Sequence, residues 1–433
     1  MSKIKTKIRT LVSGEFSHIL KGVMSILLGT GTARIIGFAS IPVLTRIYTP
    51  EEYGVLALYI SLVTALSQIM TFRYVQAIPL PKKDAMAFNL LYASLKLILF
   101  NSIIIFILFL FFKDNILKLF SLELLNYQWW LIIIGASLLA LYECLTLWAT
   151  RKRNYRTISY SSLSEAIIGN LAKIGLGLLF LRPEGLIFGF ISGQVSGILT
   201  FASGFFKTLR FNFSKISSKQ QIFILKYYKE FFLFRFPSQL LMIMSIQAPI
   251  IMAANLYNKE ITGQLSLAIM VLSVPAGLIG KAIARVFYGE IASLGKNNLS
   301  KIKEMTHFLQ KRLLMFSLPV ALIAMLLIEP LFILVFGEQW SLAGRYAVML
   351  SPFMLFQFTS APLMEVINIL GSQVNFLILH SIRVFGLIVI FFLVKVLELN
   401  SDIFVIVLST YLSMFYLSAS LLVLYILSKN EVV

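Results

Sequence analysis

The sequence predicts an all-α integral membrane protein with about twelve transmembrane helices in two six-helix bundles. Of its 433 residues, 58% are hydrophobic and only 13% are charged. The mean hydropathy is +0.87, far above the range of soluble domains. Apolar runs of about 20 residues, the length that a bilayer-spanning helix needs, recur along the whole chain. These observations exclude a soluble globular protein.

The apolar runs are separated by short polar breaks, and each run is close to the span length that a bilayer requires. We place the predicted spans at residues 22–45, 54–79, 88–112, 128–150, 157–181, 184–206, 231–256, 262–289, 312–336, 343–370, 373–396 and 402–428. The predicted organisation is an amphipathic lead-in (1–21), an N-terminal bundle (22–206), a basic linker (207–230) and a C-terminal bundle (231–433).

The charge pattern orients these spans in the membrane. The chain has 38 Lys and Arg residues against 19 Asp and Glu residues, and the cations concentrate on alternate loops, as the positive-inside rule describes. Both termini are therefore predicted to be cytoplasmic. The two longest cytoplasmic breaks, 207–230 and 290–311, are basic, and we expect them to be helical at the membrane surface. Nucleic-acid binding is excluded because no soluble domain is present to carry it.

A short internal sequence similarity, which we call the internal echo, indicates that the two halves are repeats. Three residues near the start of the second predicted span recur at one constant offset near the start of the eighth: Tyr48, Glu51 and Gly54 match Tyr257, Glu260 and Gly263. Six spans per half is an even number, so the repeats have the same orientation, related by an axis along the membrane normal. Transporters built this way place their substrate site between the halves and alternate its access.

Arg34 is the sharpest single candidate for a substrate-binding residue. It lies about twelve residues from Arg46 at the external end of the first span, which places it ~18 Å deep at 1.5 Å per residue. A cation at that depth is costly, and such charges usually face a cavity or a partner. The alternative is a structural arginine that pairs with an acid such as Glu165 or Glu365.

Further cations lie at the ends of three other spans. Arg73 and Arg285 lie toward the cytoplasmic ends of the second and eighth spans, Lys281 lies one turn before Arg285, and Arg235 opens the seventh span. Several buried charges of one sign predict a cavity for an anion, and the fork of arginine matches phosphate oxygens. The alternative is that these side chains extend to lipid headgroups.

Five other charged residues are candidates for charge balance or ion coupling. Glu165 and Lys173 lie eight residues apart on one face of the fifth span and form a candidate structural pair. Glu143 and Glu365 occupy equivalent places in the two halves, and Arg383 is a candidate partner of Glu365. A proton or a sodium ion is the coupling ion that these residues suggest.

No pattern indicates catalysis. The sequence contains no phosphate loop, no metal-spaced His/Glu cluster and no nucleophile elbow. Cys144 is the single cysteine, which predicts a packing residue rather than a disulfide or a thiolate metal site. We therefore expect no enzyme activity, no metal and no cofactor beyond the coupling ion.

The stretch from residue 29 to residue 54 begins with GTGTAR (29–34) and ends with IPVLTRIYTPEEYG (41–54). This stretch resembles the opening of the polysaccharide-transporter flippases, whose pattern is P-L-T-R, a hydrophobic residue, then Y/L-T-P-E-E-Y-G. Here Val43 separates the Pro and the Leu. These proteins are bacterial O-antigen and capsule repeat-unit flippases of lipopolysaccharide and polysaccharide biosynthesis, in the superfamily that also holds the multidrug-and-toxin extruders. Among the candidate site residues, only Arg34 lies in the matching stretch.

The resemblance implies transport of undecaprenyl-diphosphate-linked oligosaccharide across the bacterial inner membrane. It implies two six-helix bundles around a central cavity with alternating access. The implied partners are membrane lipids, a polysaccharide polymerase and a chain-length regulator. Two alternatives remain open: a drug exporter of the same superfamily, which generally wants an acidic cavity, and an integral-membrane polymerase, which usually needs a sizeable external loop.

Overall fold

Every regular element in the described part of the chain is helical. The computed structural model describes residues 15–212, 216–280, 283–284, 287, 290–291, 298–364, 366 and 373–429. Helices satisfy their own backbone hydrogen bonds, which is what an apolar bilayer demands of a spanning segment. The predicted all-α class is confirmed.

The first seven α-helices run from the N-terminal side to the middle of the chain. They are α1 (Glu15–Ile47), α2 (Pro50–Thr71), α3 (Asp84–Leu119), α4 (Trp130–Arg151), α5 (Tyr155–Leu178), α6 (Glu184–Asn212) and the short α7 (Ser218–Tyr227). A 3-10 turn, Tyr74–Ala77, follows α2, and a π-helical turn, Phe231–Arg235, follows α7. Residues 15–21 of the predicted lead-in belong to α1, and residues 1–14 lie outside the described residues.

Six further α-helices complete the described fold. They are α8 (Phe236–Leu256), α9 (Lys259–Pro275), α10 (Leu299–Phe336), α11 (Ser341–Ser360), α12 (Gln373–Val396) and α13 (Ser401–Lys429). Residues 299–311, expected to be helical at the membrane surface, are helical and form the beginning of the long helix α10.

Each predicted span overlaps one described helix of at least 17 residues. Among the described residues, seven helices have the length and hydropathy to cross a membrane, or eight if a pair bent by 55° within residues 299–336 is one span. The chain is therefore a multi-pass membrane protein, and the number twelve stays a prediction.

The chain divides into two compact units. The first contains Met1–Ile47, Leu62–Leu117 and Glu123–Phe236, and the second contains Tyr48–Ser61, Lys118–Leu122 and Pro237–Val433. Helix α2 contributes residues to both units. The predicted bundle limits at residues 206 and 231 stay a prediction.

A ridge of glycines lets α6 pack closely on α5 in the first unit. The ridge has a four-residue spacing, which places its members on one helix face: Gly189, Gly193 and Gly197. A Cβ on Gly193 would lie 2.9 Å from the Glu165 carbonyl oxygen and 3.2 Å from the Gly169 Cα. Ser161 Oγ donates to the Gly197 carbonyl oxygen at 2.8 Å. Small residues bring helix backbones close together where lipid offers no hydrophobic drive for association.

Helices α1 and α4 complete the packing around α5. A Cβ on Gly29 of α1 would collide with the side chain of Ser159 on α5. Below this contact, an apolar cluster joins α4, α5 and α6 through Leu145, Ile158 and Phe201. The first unit is thus built around α5, which is in contact with α1, α4 and α6.

Two glycines of the internal echo meet each other in the second unit. A Cβ on Gly54 would collide with the Lys259 carbonyl oxygen, and a Cβ on Gly263 would collide with the Pro50 carbonyl oxygen. The contact is reciprocal, as expected when two equivalent segments face each other across a two-fold axis. The echo therefore marks residues that pack against their own repeat partners.

The glycine ridge gives a direct test of the packing. Gly193→Ala should lower the free energy of unfolding by about 1–3 kcal/mol, because the added methyl group meets backbone atoms that cannot easily move. Gly175→Ala on α5 is the matched control, since a Cβ there meets nothing within 4 Å and alanine favours helix. Thermal unfolding of both variants in detergent measures the difference. Equal stability of the two variants would contradict close packing at Gly193.

Candidate functional site

Helix α2 ends abruptly at the position of a candidate cation. Phe72 and Arg73 have φ values of 46° and 61°, in the left-handed region that non-glycine residues rarely adopt. The chain then continues as the 3-10 turn Tyr74–Ala77. The predicted span 54–79 is therefore wrong at its C-terminal end. Strained backbone of this kind clusters at functional sites.

Arg73 is held by a carboxylate and an amide. Its side chain is only 5% exposed, and Nη1 lies 2.9 Å from both carboxylate oxygens of Glu143 on α4. The same nitrogen donates to Gln68 Oε1 at 2.6 Å. Gln68 is positioned in turn, because its Nε2 donates to Ser67 Oγ at 2.9 Å. Arg73 Nε is buried and has no hydrogen-bond partner among the described atoms. This N–H group of the guanidinium can therefore donate to a ligand.

Arg235 approaches the same place from the π-helical turn before α8. Its Nε donates to Gln76 Oε1 at 3.1 Å, and its charge is close enough to interact with that of Arg73. π-Helical turns are rare and are frequently found at functional sites. Both predicted cations therefore belong to one cluster, although 162 positions of sequence separate them.

Three phenylalanine rings pack together where α2 ends, and they connect that end to the π-helical turn Phe231–Arg235. Phe72 packs edge-on against Phe232 at 5.2 Å and against Phe236 at 5.4 Å between ring centroids. Phe232 and Phe236 stack on each other at 6.2 Å. Such aromatic pairs contribute beyond their buried area. The rings fix the backbone that carries Arg73 and Arg235.

The charges of the cluster do not cancel. Among the described residues of the cluster, two guanidinium groups, Arg73 and Arg235, face one carboxylate, Glu143, which leaves one positive charge. Charges interact more strongly in an apolar surrounding than in water, and an uncompensated cation there is costly. An anionic ligand would offset that cost, and the arginine fork is suited to phosphate oxygens.

The remaining predicted substrate contacts do not join this cluster in the described structure. Arg34 is an exposed residue of α1. Lys281 and Arg285 lie outside the described residues. Their roles in substrate binding stay predictions.

The predicted Glu165–Lys173 pair lies along the glycine ridge of α6. Glu165 Oε1 accepts from Gln194 Nε2 at 2.7 Å, and the charges of Glu165 and Lys173 are close enough to interact. A Cβ on Gly189 would collide with the side chain of Lys173. The ridge therefore gives both charged side chains room inside the helix pair.

Arg383 is buried in an aromatic setting in the second unit. It is 4% exposed, and its guanidinium lies 5.6 Å and 5.4 Å from the ring centroids of Phe415 and Tyr416. Its Nη1 also donates to Tyr416 Oη at 3.3 Å. The suggested partner Glu365 lies outside the described residues, so this pairing stays a prediction.

Sequence reasoning missed the groups that position the two arginines. Gln68 and Gln76 are amides at the end of an apolar run, and they flank Arg73 in the chain. Polar residues at such places are uncommon enough to have drawn attention. The aromatic contacts of Phe72 and Phe232 carried no comparable signal, because phenylalanine is common throughout this sequence.

Comparison with known proteins identifies the family. The profile of a family described as "Polysaccharide biosynthesis protein" matches residues 43–344, which is more than half of the chain. The chain belongs to the polysaccharide biosynthesis protein family. The resemblance seen in residues 41–54 is thereby confirmed. No curated protein matches the sequence.

Solved structures place this family member in a known fold. The lipid II flippase MurJ, in an inward closed conformation, matches with a TM-score of 0.69 at 16% identity over 93% of this chain and 87% of that chain. A MOP-superfamily transporter from Pyrococcus furiosus matches with a TM-score of 0.61 at 15% identity over 96% of each chain. A Vibrio cholerae MATE transporter gives 0.58 at 15% identity, covering 93% of this chain and 96% of that chain.

These similarities show a MurJ- and MATE-like fold. The solved structures compared are those of a flippase and of transporters. The predicted fold class is confirmed.

The Arg73–Glu143 pair in this family member can be tested by its stability. Glu143→Gln should lower the free energy of unfolding by about 1–3 kcal/mol, less than for a fully buried pair, because Glu143 is 30% exposed. The double change Arg73→Met, Glu143→Leu should recover most of the loss, since it removes both charges. Unfolding in detergent measures each variant.

A pair whose arginine is exposed provides the matched control. Asp402→Asn removes a carboxylate that is 25% exposed from Arg345, whose side chain is 54% exposed, and should cost at most about 1 kcal/mol. If Glu143→Gln costs no more than Asp402→Asn, Glu143 does not compensate a buried charge.

Proposed function

We propose that this protein is a flippase for undecaprenyl-diphosphate-linked oligosaccharide repeat units of O-antigen or capsule type. In this proposal it moves them from the cytoplasmic to the periplasmic leaflet of the bacterial inner membrane. Membership in the polysaccharide biosynthesis family supports a glycan substrate, and the fold shared with a lipid II flippase supports a lipid-linked one. The observation that carries the proposal is the net positive cluster of Arg73 and Arg235.

The diphosphate linker is the part of the substrate that this cluster would bind. Gln68 and Glu143 orient the guanidinium of Arg73, and Gln76 orients that of Arg235. Arginines held in this way lose little freedom when a ligand arrives, which favours binding. The unpartnered Nε of Arg73 adds one donor. The polyprenyl tail stays among lipid chains while the polar glycan follows the diphosphate.

Glu143 gives the cluster a means of release. A diphosphate bound to Arg73 competes with Glu143 for the same guanidinium, so the carboxylate weakens anion binding and lets the substrate leave. In the proposal, alternating access exposes this exchange to the two leaflets in turn. We also propose that transport is coupled to a proton or a sodium ion through Glu143, Glu165 or Glu365.

The charge of the cluster disfavours the drug-exporter alternative. Exporters of cationic drugs need a site that attracts positive charge, whereas Arg73 and Arg235 repel it. If the protein were a polymerase, its loss would cause single lipid-linked repeat units to accumulate in the outer leaflet. Loss of a flippase would cause them to accumulate in the inner leaflet.

The test uses the native host with the gene deleted. We expect loss of surface polysaccharide and accumulation of lipid-linked repeat units in the inner leaflet, scored by their protection from an external glycosidase. Arg235→Gln should restore transport poorly, by on the order of ten-fold or more below wild type, because a charged hydrogen bond contributes about 1.5–3 kcal/mol. Arg235→Lys should be intermediate, since it keeps the charge and loses the fork.

Arg345→Gln is the matched control, because it removes an arginine from an exposed pair outside the cluster. At equal protein levels it should restore wild-type surface polysaccharide. Full function of both Arg235→Gln and Arg73→Gln would contradict a diphosphate site at this cluster. Accumulation in the outer leaflet would favour the polymerase, and normal polysaccharide with lost drug resistance would favour the exporter.

A further inference from the structure

The short helix α7 is seated on the first turns of α3. The Asn89 side chain, fully buried, donates through Nδ2 to Gln220 Oε1 at 2.9 Å and accepts through Oδ1 from the Ser217 backbone N–H at 3.0 Å. About two turns further along α3, Lys96 Nζ donates to Gln221 Oε1 at 3.0 Å. These three bonds fix one side of α7 and therefore the direction of its other side.

The position of these bonds sets the height of α7 relative to the bilayer. Residues 97–112 of α3 contain no charged side chain, and α3 is among the helices apolar enough to cross a membrane. Asn89 and Lys96 lie at the beginning of the predicted span 88–112, before that uncharged stretch, over a rise of ~10 Å at 1.5 Å per residue. Helix α7 therefore lies beside the edge of the hydrocarbon core, on the side to which the loop charges assign the cytoplasm.

The opposite side of α7 combines cations with large apolar groups. Its members follow the i, i+3, i+4, i+7, i+8 spacing of one helix face, and we call it the α7 outer face: Lys219, Ile222, Phe223, Lys226 and Tyr227. All five side chains are exposed, and the three apolar or aromatic ones are 57–68% exposed. Gln221 and Ile224 on the inner side are buried. The face contains no acidic residue.

We propose that the α7 outer face docks on anionic lipid headgroups of the cytoplasmic leaflet. Aromatic and aliphatic groups on such a face enter the boundary between headgroups and acyl chains, and lysines meet the negative surface charge of the leaflet. A soluble acidic protein is the other partner that the charge would suit. The place of α7 at the end of the apolar stretch of α3 favours lipid.

This proposal does not rest on the proposed transport function, because it concerns how the protein meets its own membrane. Anionic lipids would hold α7 in place. Helix α7 precedes the π-helical turn that carries Arg235, so the lipid contact would also steady that turn. The consequence is a dependence on lipid composition that a contact of purely apolar groups would not show.

A spin label on the outer face tests the docking. Phe223→Cys introduces one reactive thiol, because the native Cys144 is fully buried. In full-length protein reconstituted with phosphatidylglycerol, we expect the nitroxide to lie about 5–10 Å below the headgroup surface, accessible to oxygen and protected from an aqueous nickel reagent. A label at Lys82→Cys, an exposed loop position before α3, should be accessible to the nickel reagent. Equal nickel access at the two positions would overturn the proposal.

Charge removal tests the anionic part of the proposal. In the Phe223→Cys background, Lys219→Gln with Lys226→Gln should raise the phosphatidylglycerol fraction needed for half-maximal burial of the label. Each lysine should contribute about five-fold in partitioning, given about 1 kcal/mol per cation near such a surface. Lys113→Gln with Lys118→Gln, at the other end of α3, removes the same charge and should change nothing.

The lipid series separates the outcomes. Burial of the label that is equal in phosphatidylglycerol and in pure phosphatidylcholine, and unaffected by the two glutamines, would overturn anionic recognition. Exposure in every lipid, with protection only on addition of cytosolic protein, would assign the face to a soluble partner and would also overturn it.

Discussion

The guanidinium of Arg73 cannot be left alone among apolar helices, and the break in α2 satisfies that constraint. Ending the helix at Thr71 and placing two residues in the left-handed region costs of order 1–3 kcal/mol for each strained residue. The strained backbone places the Arg73 side chain beside Glu143 and Gln68. These contacts offset the strain, because an uncompensated buried charge would cost more. The same break exposes Phe72 to Phe232 and Phe236, which bring Arg235 to the cluster. The site follows from the placement of one charge.

Along the glycine ridge of α6, charged side chains are accommodated among apolar helices in a different way. Here the polar groups remain within intact helices, and the room they need comes from removing side chains on the facing helix. Glu165 finds the amide of Gln194, and Lys173 passes over Gly189. Arg383 shows a third arrangement, in which aromatic rings and one hydroxyl receive the cation. Of these three arrangements, only the Arg73 cluster combines strained backbone with an excess of positive charge.

Hydropathy was sufficient to predict the helices, because an apolar run of span length has few alternatives to a helix in a bilayer. The repeat was also visible, since Gly54 and Gly263 need a small residue at equivalent backbone positions. The end of α2 could not be predicted from hydropathy, because Val75, Ala77 and Ile78 continue the apolar pattern beyond the break. The partners of the arginines are set by tertiary contacts, with Glu143 lying 70 positions from Arg73. The depth of Arg34 within the first predicted span made it the leading candidate in the sequence. The described contacts instead give a defined geometry to Arg73 and Arg235.

The partners of the two arginines bear on whether the cluster is structural. A purely structural pair needs only enough negative charge to cancel its cation, as Asp402 does for Arg345 on the surface. Around Arg73, a second guanidinium is brought near by the π-helical turn and is given a neutral amide, Gln76, instead of a second carboxylate. Packing alone does not require that choice, because an apolar residue at position 235 would avoid the repulsion between like charges. In the proposed function, an anion at the cluster supplies the missing charge and leaves when Glu143 takes the guanidinium of Arg73 back.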